Sequence, residues 1–455
     1  MGHAPVRVSR RRLLHRAAGG AVLAGAVLTG CSRVLGRAAT TPRHPRVTLV
    51  MQADTDSLVQ GTTLKRLLEE VLSSYTGAHT GIDVKLAFMA GYATNVPDML
   101  AGSGPDIVAD WYAPPYWSAD VLLPLDELIK RDGVQVSAWS AGQMAAMRQA
   151  GKTMSLPAYF SPMVFAVRLS DWDALGRSRP DPQWTHSEFV GECQALTRAH
   201  NGAVRYGAAF DFHRSGVHGC SWIFQAFGGD MLNAARTRQT LSSAECIRAG
   251  EWMYGQLFWP GYCIERDAAV GTGGSPQFVE DAVSMVTVWD GLILELAASI
   301  QNSFRWDIYP YPSFPAGTIC EGTEDFYAIN ARTKYPMQAW ELLQWLSYDR
   351  VWQRALMKIG AMPPARNDLW EEWISTVHAI APPLRNIGLQ HLRDRAVGGQ
   401  ARSGEYYATQ DQQMRQLATP WFQQLWANTI SVPLAFSECD HQVNAALQTA
   451  LAAQA

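Results

Sequence analysis

The chain has 455 residues, a hydrophobic fraction of 47%, a charged fraction of 17% and a formal net charge of −3. This length exceeds what one small core needs, so two or more lobes are expected. The near-neutral charge, without a run of Lys and Arg beyond the N-terminus, argues against a nucleic-acid partner.

The N-terminus has the pattern of an export signal. Consecutive arginines in Ser9–His15 (SRRRLLH) precede the apolar run Ala17–Leu28, which is too short for a permanent membrane span. SRRRLLH resembles the twin-arginine export signal, and the following LTGC, which ends at Cys31, resembles the lipobox of bacterial lipoproteins. These resemblances imply a signal peptide over 1–30, a lipid on Cys31 and a polar tether over 31–45. The body would then be anchored to the outer face of the bacterial cytoplasmic membrane.

The next segments alternate between strand and helix patterns. Residues 46–53 form an apolar, β-branched run, which predicts a strand, and residues 64–75 repeat apolar side chains at helical spacing. Residues 82–88 alternate as a second strand, and after the short helical VPDML the stretch DIVAD is the next strand. Strand, helix and strand at this spacing predict a parallel sheet with helical crossovers.

Polar and aromatic residues follow these strands directly. Asp54 follows the first strand, and Asp110, Trp111 and Tyr112 follow the third. Ligands of open parallel sheets bind beyond the carboxyl ends of the strands, so we expect these residues to share one rim. Beyond the two prolines, Tyr116 and Trp117 are expected to pack in the core.

The middle of the chain mixes helices and short strands. SEFVGECQALTRAH and AECIRAGEWMYGQLF have helical periodicity, whereas FVEDAVSMVTVWD contains a buried strand that ends in Trp289 and Asp290. This repeats the strand-then-Trp-and-Asp arrangement found at Asp110. Further on, YPMQAWELLQWLSYDRVWQRAL has an apolar helix face that must pack on a sheet.

The remaining six cysteines give no metal motif. They lack Cys-x-x-Cys spacing, and His213 and His218 with Cys220 form a single cluster, which is more often a loop than a zinc site. No metal or cofactor is therefore expected. Disulfides suit an extracytoplasmic protein, whereas folding before export favours free thiols, so both states stay open. The six are Cys193, Cys220, Cys246, Cys263, Cys320 and Cys439.

Several segments in order resemble the extracellular solute-binding proteins of ABC importers, family 1, most of whose members bind carbohydrates. The segments are GSGPDIVADWYAPPYWSADVLLPLDELI, GKTMSLPAYFSPMVFAVRLSDW, FGGDML, FVEDAVSMVTVWD, YAINARTKYPMQAWELLQWL, GAMPPARNDLW and VNAAL. The resemblance implies an α/β, two-lobe periplasmic-binding-protein-like fold of type II, with a mainly parallel sheet and flanking helices in each lobe. One lobe would combine 46–158 with 320–372, and the other 159–319 with 373–455. A monomeric, non-enzymatic receptor would bind a carbohydrate, a di- or oligosaccharide, in the cleft and deliver it to the transmembrane permease subunits.

Sugar recognition needs aromatic faces for ring C–H groups and carboxylates or amides for hydroxyls. Alternatives stay open for individual residues. A helix N-cap explains Asp54, hinge packing explains Tyr159, and a tight turn explains the FGGD segment equally well. An Arg in MPPARNDLW either reaches the ligand or locks the lobes together, and EGTEDF is more acidic than the family pattern. The predicted ligand-binding residues are Asp54, Asp110, Trp111, Tyr112, Tyr159, Trp222, Gly229, Asp230, Trp289, Asp290, Glu324, Asp325 and Arg366.

Three other functions compete with a carbohydrate receptor. A secreted glycoside hydrolase would use the same aromatics with two carboxylates in opposed roles. A receptor for a phosphorylated polyol, such as a glycerol phosphodiester, would use Arg366. An adhesion or scaffold protein would suit a lipid anchor without needing aromatic and acidic pairs at strand ends.

Overall fold

The computed structural model describes residues 46–54, 62–79, 81–89, 93–110, 112–200, 202–210, 221–265, 276–360, 362–398, 401–402, 407 and 409–453. The segment Pro45–Ala455 is one compact unit. Its strands are β1 Val47–Asp54, β2 Ile82–Met89, β3 Ile107–Asp110, β4 Arg148–Gln149, β5 Lys152–Thr153, β6 Leu156–Pro162, β7 Val164–Val167, β8 Arg198–His200, β9 Ala203–Phe210, β10 Cys263–Glu265, β11 Val283–Val288, β12 Asp307–Tyr309, β13 Cys320–Ile329 and β14 Ala401–Arg402.

The helices surround these strands. They are α1 Thr62–Ala78, α2 Val96–Leu100, α3 Pro114–Ser118, α4 Asp126–Asp132, α5 Ala141–Ala146, α6 Leu169–Ala174, α7 His186–Leu196, α8 Ser221–Ala226, α9 Ala244–Gly250, α10 Pro276–Val279, α11 Asp290–Ile300, α12 Pro336–Ser347, α13 Arg350–Gly360, α14 Trp370–Ile380, α15 Gln390–Val397, α16 Asp411–Trp426 and α17 Val432–Ala452. A π-helical segment, Glu251–Phe258, continues α9.

The first sheet has the strand order β14-β13-β3-β1-β2, and β6 also pairs with β13. Strands β2 and β3 both run parallel to β1, as the strand and helix pattern predicts, whereas β13 is antiparallel to β3 and β6. Alternate residues of β3 belong to hydrophobic clusters on opposite faces of this sheet. Ile107 and Ala109 belong to the main core of the first sheet, and Val108 belongs to a smaller cluster on the other face. Both faces of this sheet are therefore buried.

The second sheet has the order β10-β9-β11-β7-β12, with β8 also paired to β9. Strand β9 is parallel to β10 and β11, but β7 is antiparallel to β11 and β12, and β8 is antiparallel to β9. The expected α/β fold is confirmed, while this sheet is mixed and not mainly parallel. For β8 and β9 the reason is the connection of two residues between them, which is too short for the helical crossover that a parallel pair needs.

Two strands connect the main core of the first sheet, called the first core, with the core of the second sheet, called the second core. In β6, Leu156 and Ala158 belong to the core of the first sheet, whereas Phe160 belongs to that of the second. In β13, Tyr327 packs in the first core and Cys320 in the second. These strands pair antiparallel along most of their length, with an irregularity between Asp325 and Phe326. They form a two-stranded hinge between the lobes.

Candidate ligand-binding cleft

The hinge strands extend past the carboxyl end of β3. Phe326 of β13 is the register partner of Asp110, the last residue of β3, so the residues just before Phe326 lie beyond that end. Asp325 and Tyr159 are register partners on the two hinge strands, and the Tyr159 hydroxyl donates to the Asp325 carboxylate. The hinge thus places a phenol and a carboxylate at the rim predicted from the sequence.

The second lobe contributes Trp289 and Asp290 to the same place. Asp290 begins α11, and its carboxylate accepts hydrogen bonds from the Ser161 hydroxyl of β6 and from the backbone N–H groups of Asp290 and Gly291. The half-buried Trp289 lies against Gly291, where a Cβ would come within 3.1 Å of the indole Nε1. Glycine at 291 therefore lets the indole fold over the start of the helix.

Hydrogen bonds and charge interactions connect Tyr159, Ser161, Asp290 and Asp325. Together with Trp289, which directly precedes Asp290 in the chain, we call these residues the hinge cluster. Desolvation raises the pKa of Asp290 to about 6, although hydrogen bonds from Ser161 and the backbone favour the ionised form. Desolvation also raises the pKa of Tyr159 well above its usual value, and the charges of Asp325 and Asp290 add to the effect. The phenol therefore keeps its proton and stays a donor at neutral pH.

Asp110 faces inward from the rim and organises the loop that follows it. Its carboxylate accepts hydrogen bonds from Ala93 N at 3.0 Å, Tyr112 N at 3.2 Å and the Tyr116 hydroxyl at 2.6 Å, and the residue is 5% exposed. Tyr116 is fully buried, which confirms its expected place in the core. The Asp110 carboxylate thus holds the backbone from which Tyr112 projects.

Tyr112 and Trp117 form contacts between the lobes. The Tyr112 hydroxyl donates to Asp411 Oδ2 at 2.9 Å, and Arg415 Nε donates to the same oxygen at 2.8 Å. The guanidinium of Arg236 lies 5.6 Å from the ring centre of the partly buried Trp117, so this ring also faces the second lobe. The loop after β3 therefore touches both α16 and the segment around Arg236.

Trp222 and Gly229 have structural surroundings. Trp222 is 1% exposed and packs edge-to-face on Tyr311 and Phe314, with ring centres 4.7 and 5.9 Å away. A Cβ at Gly229 would come within 2.8 Å of Cys246 Sγ, so this glycine permits close approach to α9. These contacts place Trp222 in the core of the second lobe.

Asp230 is partly buried beside this glycine. Its Oδ1 accepts from Met231 N at 2.8 Å, and burial raises its pKa while the charge of Arg236 acts in the opposite direction. Because Arg236 also contacts Trp117, Asp230 lies near the contact between the lobes rather than in the hinge cluster.

Arg366 is engaged close to its own position in the chain. Its guanidinium donates to Asp368 Oδ1 at 2.9 Å, to Asp368 Oδ2 at 3.2 Å and to the Tyr348 carbonyl at 2.7 Å, and the residue is 6% exposed. It also lies 4.8 Å from the ring centre of Tyr348. These partners give Arg366 a structural role at the point where the chain passes from the first core, at Ala365, to the second, at Leu369.

Other predicted residues are less fully described. Asp54 ends β1 and Glu324 lies within β13, and for both the description is limited to the backbone. Trp111 and Cys31 lie outside the described residues, as do the signal, the tether and the histidine cluster of 211–220. Their roles stay predictions.

Ser161, Arg236, Asp411 and Arg415 escaped the sequence reasoning. Asp411 and Arg415 form a buried ion pair at i and i+4 of α16, a spacing that by itself indicates only an ordinary helix-face pair. Ser161 sits in the SLPAYFSP stretch, but its partner Asp290 is 129 residues away. Local pattern offers no signal for such a contact.

Three features of the described residues concern metal binding, membrane spans and disulfides. No group of three or more His, Cys, Asp or Glu side chains there could hold a metal ion. In the same residues no helix combines the length and hydropathy needed to cross a bilayer. Five cysteines in the described part of the chain are buried thiols outside any disulfide: Cys193, Cys246, Cys263, Cys320 and Cys439.

Two α/β lobes joined by paired hinge strands define the class of periplasmic-binding-protein-like folds. The sequence model of the family described as bacterial extracellular solute-binding protein matches residues 55–349, and the chain belongs to this family. None of the curated protein sequences compared with the chain matches it.

Solved structures share the fold at low identity. The sugar-binding protein MalE from Xanthomonas citri aligns with a TM-score of 0.71 and 15% identity, covering 89% of this chain and 98% of its own. The cyclic alpha-maltosyl-1,6-maltose binding protein from Arthrobacter globiformis gives 0.70 and 13%, with coverage of 89% and 100%. UgpB from Mycobacterium tuberculosis, in complex with glycerophosphocholine, gives 0.66 and 18%, with coverage of 90% and 99%.

Proposed function

We propose that the protein is the substrate-binding receptor of an ABC importer and captures an uncharged carbohydrate, a di- or oligosaccharide, between its lobes. The observation that carries the proposal is the hinge cluster, where Asp290 of the second lobe binds Ser161 and lies beside Tyr159 and Asp325 of the hinge, directly after Trp289. An aromatic face beside hydroxyl acceptors is the chemistry that a sugar ring needs.

The charges in the cluster favour a neutral ligand over an anionic one. Asp290 and Asp325 would repel a phosphate placed beside them. Two guanidiniums that could attract a phosphate already have carboxylate partners, since Arg366 binds Asp368 and Arg415 binds Asp411. These ion pairs support a carbohydrate ahead of a glycerol phosphodiester.

Closure of the lobes would couple binding to transport. The Tyr112 contact with Asp411 and the Arg236 contact with Trp117 link the loop after β3 to the second lobe. A ligand that binds the closed form more tightly shifts the population toward it. The closed form would then be recognised by transmembrane permease subunits, with a monomeric receptor held outside the cytoplasmic membrane by lipid on Cys31 and exported through its N-terminal signal.

A thermal-shift screen with chromatography of the recovered ligand tests this function. The compounds are neutral mono-, di- and oligosaccharides, together with glycerophosphocholine. We expect a neutral saccharide to raise the melting temperature and to be recovered intact. Stabilisation by glycerophosphocholine alone would replace the carbohydrate with a phosphodiester, which the likeness to UgpB makes the second candidate. Cleavage of the saccharide would contradict a non-enzymatic receptor and favour a hydrolase.

A further inference from the structure

Two of the buried cysteines lie side by side in the second lobe. Cys193 belongs to the last turn of α7, Cys263 begins β10, and their Sγ atoms are 3.6 Å apart. The residues are 0% and 2% exposed. Seventy residues of chain separate them, so the contact depends on the folded lobe and not on local sequence.

The surrounding backbone holds this pair in place. A Cβ at Gly207 of β9 would come within 2.4 Å of Cys193 Cα, so the end of α7 is pressed directly on β9. Strand β9 in turn pairs with β10, where Cys263 is the register partner of Ala208. The two sulfurs therefore face each other across a closely packed junction of helix and sheet.

Two other cysteines of the second lobe have partners of a different kind. Cys246 Sγ donates to the Asp230 carbonyl at 3.2 Å, and Cys439 Sγ accepts from Gln239 Nε2 at 3.1 Å. Both are buried thiols, and within the described part of the chain each contacts an oxygen or nitrogen atom instead of a second sulfur. They are matched controls for the pair.

We propose that Cys193 and Cys263 are a disulfide site that closes when the protein folds in the presence of a disulfide oxidant such as glutathione disulfide. The thiolate of one cysteine attacks the oxidant and releases one glutathione thiol. The second cysteine thiolate then displaces the other glutathione, so two protein thiols are oxidised and one glutathione disulfide becomes two glutathione molecules. The sulfurs must approach by about 1.5 Å to reach bonding distance, a shift within reach of side-chain rotation.

The bond would join the end of α7 to the edge of the second sheet. It would restrict the unfolded chain over a loop of about 70 residues, which stabilises the folded state. Whether the protein meets an oxidising environment in the cell depends on its proposed location outside the cytoplasmic membrane. The chemistry itself is independent of that location and of the ligand.

The test uses the chain with Cys31→Ser, refolded from the reduced, denatured state in a buffer of reduced and oxidised glutathione. Free thiols are then blocked, and the protein is mapped by non-reducing peptide mass spectrometry. We expect a linked peptide pair containing Cys193 and Cys263, and a loss of about 2 Da from the intact mass. A phosphine reductant should lower the melting temperature of this protein by about 2–5 °C.

Matched variants separate this bond from general effects of cysteine loss. Cys193→Ser and Cys263→Ser should each abolish the linked peptide and the response to reductant, whereas Cys246→Ser and Cys439→Ser should keep both. Blocked thiols at Cys193 and Cys263 after refolding, or a pairing of either with another cysteine, would overturn the proposal. The peptide map of the parent chain decides the question even if a variant does not fold.

Discussion

Replacing Asp290 by Asn should change how stability depends on pH. Asp290 is an acid whose pKa rises from 3.8 to about 6 in the folded protein. Between about pH 4 and pH 6 the folded state keeps a proton that the unfolded state has lost, so stability falls as pH rises through this interval. Below about pH 4 the carboxyl is protonated in both the folded and the unfolded state, so Asp290 causes no loss of stability there.

The size of the effect follows from the shift. About two pKa units at 1.36 kcal/mol each give a loss of about 3 kcal/mol in the free energy of unfolding, complete above pH 6. This is a large share of the roughly 5–15 kcal/mol that stabilises an ordinary domain. The asparagine amide would also alter the hydrogen bonds to Ser161 and to the backbone, but that contribution is nearly the same at every pH.

The assay is urea unfolding followed by tryptophan fluorescence from pH 4 to pH 8, for the parent chain and Asp290→Asn. The stability of the parent relative to the variant should fall by about 3 kcal/mol between pH 4 and pH 7. Ser161→Ala removes a donor to the carboxylate, so it should raise the pKa of Asp290 and extend the decline above pH 6. A parent-to-variant difference that stays constant over the whole range would refute the desolvated site at Asp290.

Four further substitutions test the roles assigned to residues in and around the cleft. Trp289→Ala should weaken binding of the saccharide that raises the melting temperature at least tenfold and leave the fold intact. Equal affinity of the parent and Trp289→Ala in calorimetric titrations would show that Trp289 is not part of the site. Trp222→Ala should instead lower the free energy of unfolding by about 3–5 kcal/mol, because the Trp222 indole is buried. Tyr112→Phe deletes the hydrogen bond to Asp411, which is worth about 1 kcal/mol, so the ratio of closed to open forms without ligand should fall about fivefold. Fluorescence energy transfer between the lobes measures this ratio, and an unchanged signal would contradict a role of Tyr112 in closure. Arg366→Ala should lower the free energy of unfolding by about 2–3 kcal/mol and leave the affinity for the saccharide within twofold of the parent value. Loss of saccharide binding without loss of stability would indicate that Arg366 contacts the ligand.

Local patterns predict several elements of the fold well. The strand and helix expected over 46–53 and 64–75 appear as β1 and α1, and the buried strand before Trp289 is β11, with all six residues buried. Each depends on periodicity within a short window, which burial of one face directly imposes. The mixed second sheet was not predicted because the direction of β7 depends on its pairing with the distant strands β11 and β12, not on its own residues.

Strand ends indicate where a site lies but not which side chains face it. Asp290 follows β11 as expected, yet its partner Ser161 lies 129 residues earlier in the chain, and only the folded structure brings the two together. Trp222 has the same chemical signal as Trp289, but its position on α8 points the indole into the core. Arg366 likewise finds a carboxylate two residues away, a local pairing that sequence reasoning could not distinguish from a ligand contact.

Hydrogen–deuterium exchange with and without the saccharide that raises the melting temperature tests most directly whether ligand binds between the lobes. The proposed cleft predicts slower exchange in two segments from different parts of the fold, the hinge strand β6 around Tyr159 and the start of α11 after Trp289. Helix α17, far along the chain and outside the hinge cluster, provides the internal comparison. Protection of both segments would support the account, and protection confined to one lobe, or to neither segment, would contradict it.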